Sequence, residues 1–155
     1  MPLLRAALSW NFVLATAICA SLLAQLIKVL LNLFIFHRFI AERMWGAGGM
    51  PSSHSATVCA MVVATGRYCG VNSPIFAIAA VLSIIVMYDA MGVRYETGEQ
   101  AKVLNRMFTE WMDQGFGQLQ LPHGKKLKEM VGHTPIEVVT GAALGIVLGF
   151  AMPMV

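Results

Sequence analysis

The feature that most constrains this chain is a nearly unbroken apolar run from about Ala6 to Phe36. As one helix rising ~1.5 Å per residue, it would exceed the ~30 Å hydrocarbon core of a bilayer, so its end projects or bends. Within its second half, Ser21, Gln25, Lys28 and Asn32 follow one another at intervals of four, three and four, which puts all of them on one helical face. That stripe must meet protein or water. Elsewhere the chain has the same character. Of its 155 residues 57% are hydrophobic and 12% charged, against roughly 25% charge in an average soluble domain. So few charges cannot cover a water-soluble globule without leaving large apolar patches. The expected fold is all-α: a single membrane-embedded domain over residues 1–155, built as an integral membrane bundle of about four transmembrane helices with one interfacial amphipathic helix.

A secretory signal is considered because Arg5 precedes the apolar run and Ala15-Thr16-Ala17 resembles a cleavage site. The run continues past it with the pattern of a retained helix, so cleavage is not expected. Cys19, Cys59 and Cys69 are odd in number, lack metal-type spacing and lie in or beside apolar runs, which makes them small core residues. The net charge of +3 is confined to a few connecting segments and forms no stripe for nucleic acid.

Beyond Arg38, Glu42 and Arg43, a glycine-rich turn at Gly46-Ala47-Gly48-Gly49 leads through Met50-Pro51-Ser52-Ser53-His54 into a second helix. That helix extends to about Val71 before Asn72-Ser73-Pro74 breaks it. A third span covers about Ile75 to Tyr88 and closes on Asp89-Ala90-Met91-Gly92-Val93-Arg94. Tyr95 to Val131 holds most of the remaining charge, with an amphipathic helix near Glu99 to Trp111 and a looser region around Gln114 to Gly124; it belongs in water or at the interface. The last helix opens at Gly132-His133-Thr134-Pro135-Ile136-Glu137 and runs to the carboxyl end. Its Gly141, Gly145 and Gly149 form a small-xxx-small series that lets another helix approach closely.

Threading four spans through a membrane brings Lys28, the Pro51 to His54 turn, Asp89 with Arg94, and His133 to one face. The same face collects Arg38, Arg43, Lys102, Arg106, Lys125, Lys126 and Lys128, whereas the other has Arg5 and Arg67. Positive charge favours the cytoplasmic side, so this face is expected in the cytoplasm, with both termini outside.

The polar residues gathered there have chemistry to offer. A serine-rich turn entering a helix presents hydroxyls and free backbone N–H groups at the positive end of the helix dipole, which suits a phosphate, and His54 beside it can protonate a leaving oxygen. A purely structural reading makes the serines helix caps and leaves His54 in the interfacial region. His133 and Glu137 are four apart, so the carboxylate lies under the imidazole and orients it. Thr134-Pro135-Ile136-Glu137 is also a capping box, and the two roles are compatible. Lys28 is costly in an apolar helix and marks a functional site unless it snorkels to the interface. Asp89 and Arg94 either pair with each other or leave Arg94 for a phosphate. His37 and His123 lack partners in the sequence and are taken as loop residues.

Three ordered stretches, Gly-Gly-Met-Pro-Ser-Ser-His-Ser-Ala from Gly48, Asp-Ala-x-Gly-Val-Arg from Asp89 with Gly98, Gln100 and Asn105 beyond it, and Gly-His-Thr-Pro-x-Glu-Val from Gly132, resemble the divergent branch of the type-2 phosphatidic acid phosphatase family. These are small membrane proteins related to acid phosphatases and vanadium-dependent haloperoxidases. The resemblance implies phosphate donors at Ser52 and Ser53, a leaving-group acid at His54, and a phospho-enzyme nucleophile at His133. Glu137 would replace the supporting aspartate, and Lys28 would be the lysine of the first motif. The family's Lys-x6-Arg-Pro is absent, with Ile35 and Phe36 in the last two places, and Lys126 and Leu127 stand where Ser-Arg is expected. Arg94 is the candidate substitute for the missing cation.

The expected activity is metal-independent hydrolysis of a lipid phosphomonoester or diphosphate in the inner membrane, through a phospho-histidine and without a cofactor. The catalytic residues would be His133, His54 and Glu137; Lys28, Ser52, Ser53 and Arg94 would bind phosphate, and Asp89 would support them. The rival from another class is a non-catalytic membrane protein that binds anionic lipid headgroups or a protein partner. A metal enzyme using Asp89, Glu137 and the histidines ranks lowest, because no short-range ligand motif is present. Four short spans enclose little, so a homodimer is a candidate assembly.

Overall fold

A computed structural model describes residues 11–36, 49–113, 126–129 and 131–154. Among the described residues are five helices: α1 (Phe12–Phe36), α2 (Ser53–Cys69), α3 (Pro74–Met91), α4 (Val93–Asp113) and α5 (Pro135–Ala151). The glycines before Gly49, the loop from Gln114 to Gly124, Arg38, Glu42, Arg43, Lys125 and the expected loop histidines His37 and His123 lie outside the described residues, as does any start of the first helix before Asn11.

Each helix boundary has a local cause. The Asn11 side chain accepts the Leu14 N–H at 3.0 Å and caps α1. Ser52 caps α2, and Ser73 caps α3 with Pro74 at the first helical position, where its missing N–H costs nothing. Gly70 ends α2 at φ +82°, in the left-handed region glycine enters without strain. Only Gly92 separates α3 from α4, so the amphipathic helix begins at Val93, earlier than the sequence pattern indicates.

The helix α2 is the hub, packed by α1, α3 and α5. It serves because its inward residues are small. Ala56, Ala60 and Ala64 are completely buried, and Ala20 and Ala24 of α1 meet the first two of them. The large apolar side chains point the other way: Leu22 of α1, Ile78 and Ile84 of α3, and Val147 and Phe150 of α5 are each more than 60% exposed. Small residues inside and large apolar residues outside is the reverse of a water-soluble core and the arrangement suited to lipid.

Length divides the helices. α1 over Phe12–Phe34 and the α3–α4 run over Pro74–Trp111 are long and apolar enough to cross a membrane. α5 is apolar but has 17 residues, as has α2, giving each ~26 Å at ~1.5 Å per residue. The four-helix count agrees with the sequence pattern, but two of the four expected spans are short.

Close contact between α2 and α5 depends on the glycine series. A Cβ at Gly141 would strike the Ser52 carbonyl, one at Gly145 the Ala56 carbonyl, and one at Gly149 the Val63 side chain. The two helices run parallel, because Ser52 N–H also donates to the Glu137 carbonyl at 2.9 Å at their shared beginning. At the far end Arg67 donates to the carbonyls of Gly149, Phe150 and Met152 at 2.6, 3.1 and 2.8 Å, satisfying acceptors that the end of α5 leaves open. A leucine at Gly145 should force these backbones apart and destabilise the bundle by about 1–3 kcal/mol or more, since backbone cannot yield as a flexible side chain does. Thermal unfolding of Gly145→Leu against wild type in detergent would check it.

Candidate functional site: a two-histidine pocket

At the end of the bundle where α2 and α5 begin, the segment before α5 crosses the end of α3, and His133 N–H donates to the Ala90 carbonyl at 3.0 Å. Backbone contact there is close, because a Cβ at Gly132 would collide with the main chain of Arg94 and Tyr95. His133 is 1% exposed, and its side chain is among the largest wholly buried ones described.

The two nitrogens of that ring have different surroundings. Nδ1 lies 3.0 Å from Glu137 Oε2. The same carboxylate oxygen accepts the Thr134 N–H at 3.2 Å, so Glu137 caps α5 and orients the imidazole at once. Nε2 is buried with no hydrogen-bond partner among the described residues. A buried polar atom without a partner is unusual enough to point to a ligand or a task. With Nδ1 as donor to the carboxylate, Nε2 carries the lone pair a nucleophile needs.

His54, the second residue of α2, is exposed, and its ring centroid stands 6.0 Å from that of His133 at 67°. Both histidines line a cavity of about 270 Å³ together with Ile85, Val86, Asp89 and Ala90 of α3, Arg94 of α4 and Val131. Polar groups thus enter from three helices and the segment before α5, and Ile85 with Val86 supplies an apolar wall.

The remaining residues expected at this face divide by what already occupies them. Arg94 Nε donates to Asp89 Oδ2 at 2.5 Å, which leaves its terminal nitrogens for the cavity; this ion pair is about half exposed and contributes little to stability. Ser52 is fully buried, and its Oγ accepts from Ser55 N–H at 3.4 Å and from Ser55 Oγ at 3.1 Å, so its hydroxyl acts as a helix cap. Ser53 Oγ accepts from Gln25 Nε2 at 3.4 Å, joining the polar stripe of α1 to the start of α2. Lys28 is 2% exposed, with its methylenes against Gly49, and its ammonium has no hydrogen bond or ion pair among the described residues. Neither Ser52, Ser53 nor Lys28 lines the cavity itself.

Burial holds the His133 imidazole below its ordinary value of 6.5. The hydrogen bond and charge of Glu137 work against this, and the charges of Lys28 and Arg94 reinforce it. The neutral form is therefore favoured near neutrality, as a nucleophile requires.

Asn105 shapes the site without having stood out for a role in the sequence. Buried at 6% exposure, it binds the Leu127 backbone and the Glu129 carboxylate, tying the segment ahead of His133 to α4. A signal is present in retrospect: Gly98, Ala101 and Asn105 follow at three and four, a small and polar stripe on the one buried face of α4.

The fold and this cavity define a class: a lipid-compatible helical bundle with a carboxylate-oriented histidine and a second histidine at one end. The chain belongs to the Divergent PAP2 family, whose model matches residues 9–148. It is 38% identical over 144 residues to the uncharacterized membrane protein YuiD of Bacillus subtilis (strain 168), a match covering 89% of this chain and 91% of that protein. No solved structure matches it.

Removing the carboxylate's charge gives a signed test. In Glu137→Gln the only strong influence raising the His133 pKa is weakened while burial remains, so the imidazole should stay neutral to lower pH than in the wild type. An NMR titration of the His133 ring in micelles would read the shift; an upward movement would contradict this account.

Proposed function

We propose that this protein is a membrane-resident, metal-independent phosphatase acting on a lipid phosphomonoester or diphosphate at the cytoplasmic face. The observation that carries this reading is the pairing in one cavity of a buried His133 Nε2, unpartnered among the described residues, with His54, 6.0 Å away between ring centroids, beside the Arg94 guanidinium. Family membership supports phosphoryl chemistry, and YuiD's designation as a membrane protein supports the location.

In the proposed reaction His133 Nε2 attacks phosphorus, a N–P bond forms, and the bond from phosphorus to the lipid oxygen breaks. Protonated His54 gives its proton to that departing oxygen. The imidazole of His133, now bearing the phosphoryl group, is cationic, and Glu137 at Nδ1 stabilises it. Water then attacks phosphorus while neutral His54 takes its proton, releasing phosphate and restoring both histidines. Arg94 balances charge on the phosphoryl oxygens, with Asp89 holding its Nε side. Lys28 adds positive potential from behind, and the free N–H groups of the first turn of α2 add to it.

The lipid tail would leave the cavity along Ile85 and the exposed apolar face of α3 and remain in the bilayer. α4 would lie at the interface, its exposed Val103, Leu104, Met107 and Trp111 toward acyl chains. Phosphatidylglycerol phosphate, phosphatidate and polyprenyl diphosphate fit this description equally.

One observation favours a second reading. His133 Nε2 is closed off from water, and the Ser52 hydroxyl is engaged as a cap, so a non-catalytic protein holding anionic lipid headgroups beside Arg94 would need no rearrangement. The phosphatase reading requires side chains at the cavity wall to move when substrate enters.

Phosphate release from the three lipids by purified protein separates the two. Turnover in excess chelator should persist and fall by about a thousandfold or more in His133→Ala and about a hundredfold or more in His54→Ala. Absence of release from all three lipids, with lipid binding retained in the double histidine variant, would favour the binding protein instead.

A further inference from the structure

The segment leading into α5, described at 126–129 and 131–133, has no secondary structure, and residues 126–129 are exposed. Its course is nevertheless set at four successive points along α4 and the end of α3. Asn105 Oδ1 accepts the Leu127 N–H at 2.9 Å while its Nδ2 donates to the Leu127 carbonyl at 2.9 Å, a two-way bond like that between neighbouring strands. The same Nδ2 donates to Glu129 Oε1 at 2.8 Å. Two turns nearer the cavity, Gly98 leaves room for the Glu129 carbonyl, and Gly132 then passes over the main chain of Tyr95. His133 follows directly, with its N–H on Ala90.

Asn105 is thus the side-chain anchor at one end of a strap whose other end carries the imidazole. A hydrophobic residue at 105 could pack as well, but it could not fix the register of an exposed strap, because only a group with both donor and acceptor can match a peptide unit. We propose that Asn105 is a positioning residue for His133, setting through the strap how deeply that imidazole sits in the cavity. The inference rests on the reading of His133 as the reacting group, but its structural half can be tested alone.

The test uses the full chain in micelles and compares wild type with Asn105→Ala. A loosened strap lets water reach the ring, so the His133 titration seen by NMR should move up toward 6.5, since burial is what holds it low. The charged and titratable groups around the ring, Glu137 on α5, Lys28 on α1, His54 on α2, Asp89 on α3 and Arg94 on α4, are all retained in this variant. With a lipid phosphate that wild type hydrolyses, kcat should fall about ten- to a hundredfold with KM within about twofold, as expected when a reacting group is displaced by a fraction of its bond reach. An unchanged His133 titration would overturn the positioning role. If wild type releases no phosphate, the phosphatase reading fails, and the titration still decides this one. Should Asn105→Ala not fold, Asn105→Leu takes its place: it keeps the side-chain volume and the charge but bonds neither Leu127 nor Glu129, so an upward shift supports the strap and no shift overturns it.

Discussion

The close parallel approach of α5 to α2 is the constraint on which the rest of this structure depends. Three glycines remove the side chains that would hold the helices apart, and the bond from Ser52 N–H to the Glu137 carbonyl sets their register at the shared beginning. Once that register is set, the residue two positions into α2 and the residue two positions before α5 become neighbours, and these are His54 and His133. The cavity is a consequence of helix packing before it is a feature of any loop. Close van der Waals contact of this kind, which alanine and glycine in the interior permit, suits an apolar medium where bulk water supplies no drive for helix association.

Parallel packing of two helices imposes a return path, and the chain provides it twice. α3 carries the chain back to the same end, where Asp89 and Arg94 close it, and the α4 excursion brings the strap back across Ala90 to His133. Two of the polar residues at that end are each bound by more than one restraint. Glu137 serves both as the cap of α5 and as the partner of His133 Nδ1, and Ser52 both as the cap of α2 and as the donor to α5. Such double use ties the start of the bundle to the orientation of His133, so changes at Ser52 or Glu137 cannot be expected to act on packing and site independently.

The separation between capping and chemistry that the sequence left open is resolved differently at each residue. Ser52 is drawn into the helix end because its hydroxyl is buried beside Ser55, whereas His54, two residues further on, faces the cavity. Arg94 keeps both possibilities, since Asp89 occupies one edge of the guanidinium only. Lys28 is in neither group: buried, without an ion pair among the described residues, and behind the histidines instead of beside them. An ammonium so placed would act on the site through its field and not through contact.

Periodicity and composition alone determined that the described elements are helices, where the apolar ones lie, that Thr134 to Glu137 caps the last of them, and that the glycine series admits a close neighbour. These follow from local rules, because caps, breaks and spacings act within one or two turns. Even the gathering of Lys28, His54, Arg94 and His133 at one end was legible, since antiparallel threading of spans permits few arrangements. Tertiary structure alone decided that α2 is the hub, that the glycines face α2, that Arg94 binds Asp89, and that Asn105 holds the strap ahead of His133. Each of these depends on contacts between residues far apart in the chain, where spacing carries no information and only the meeting of complementary surfaces selects the partner.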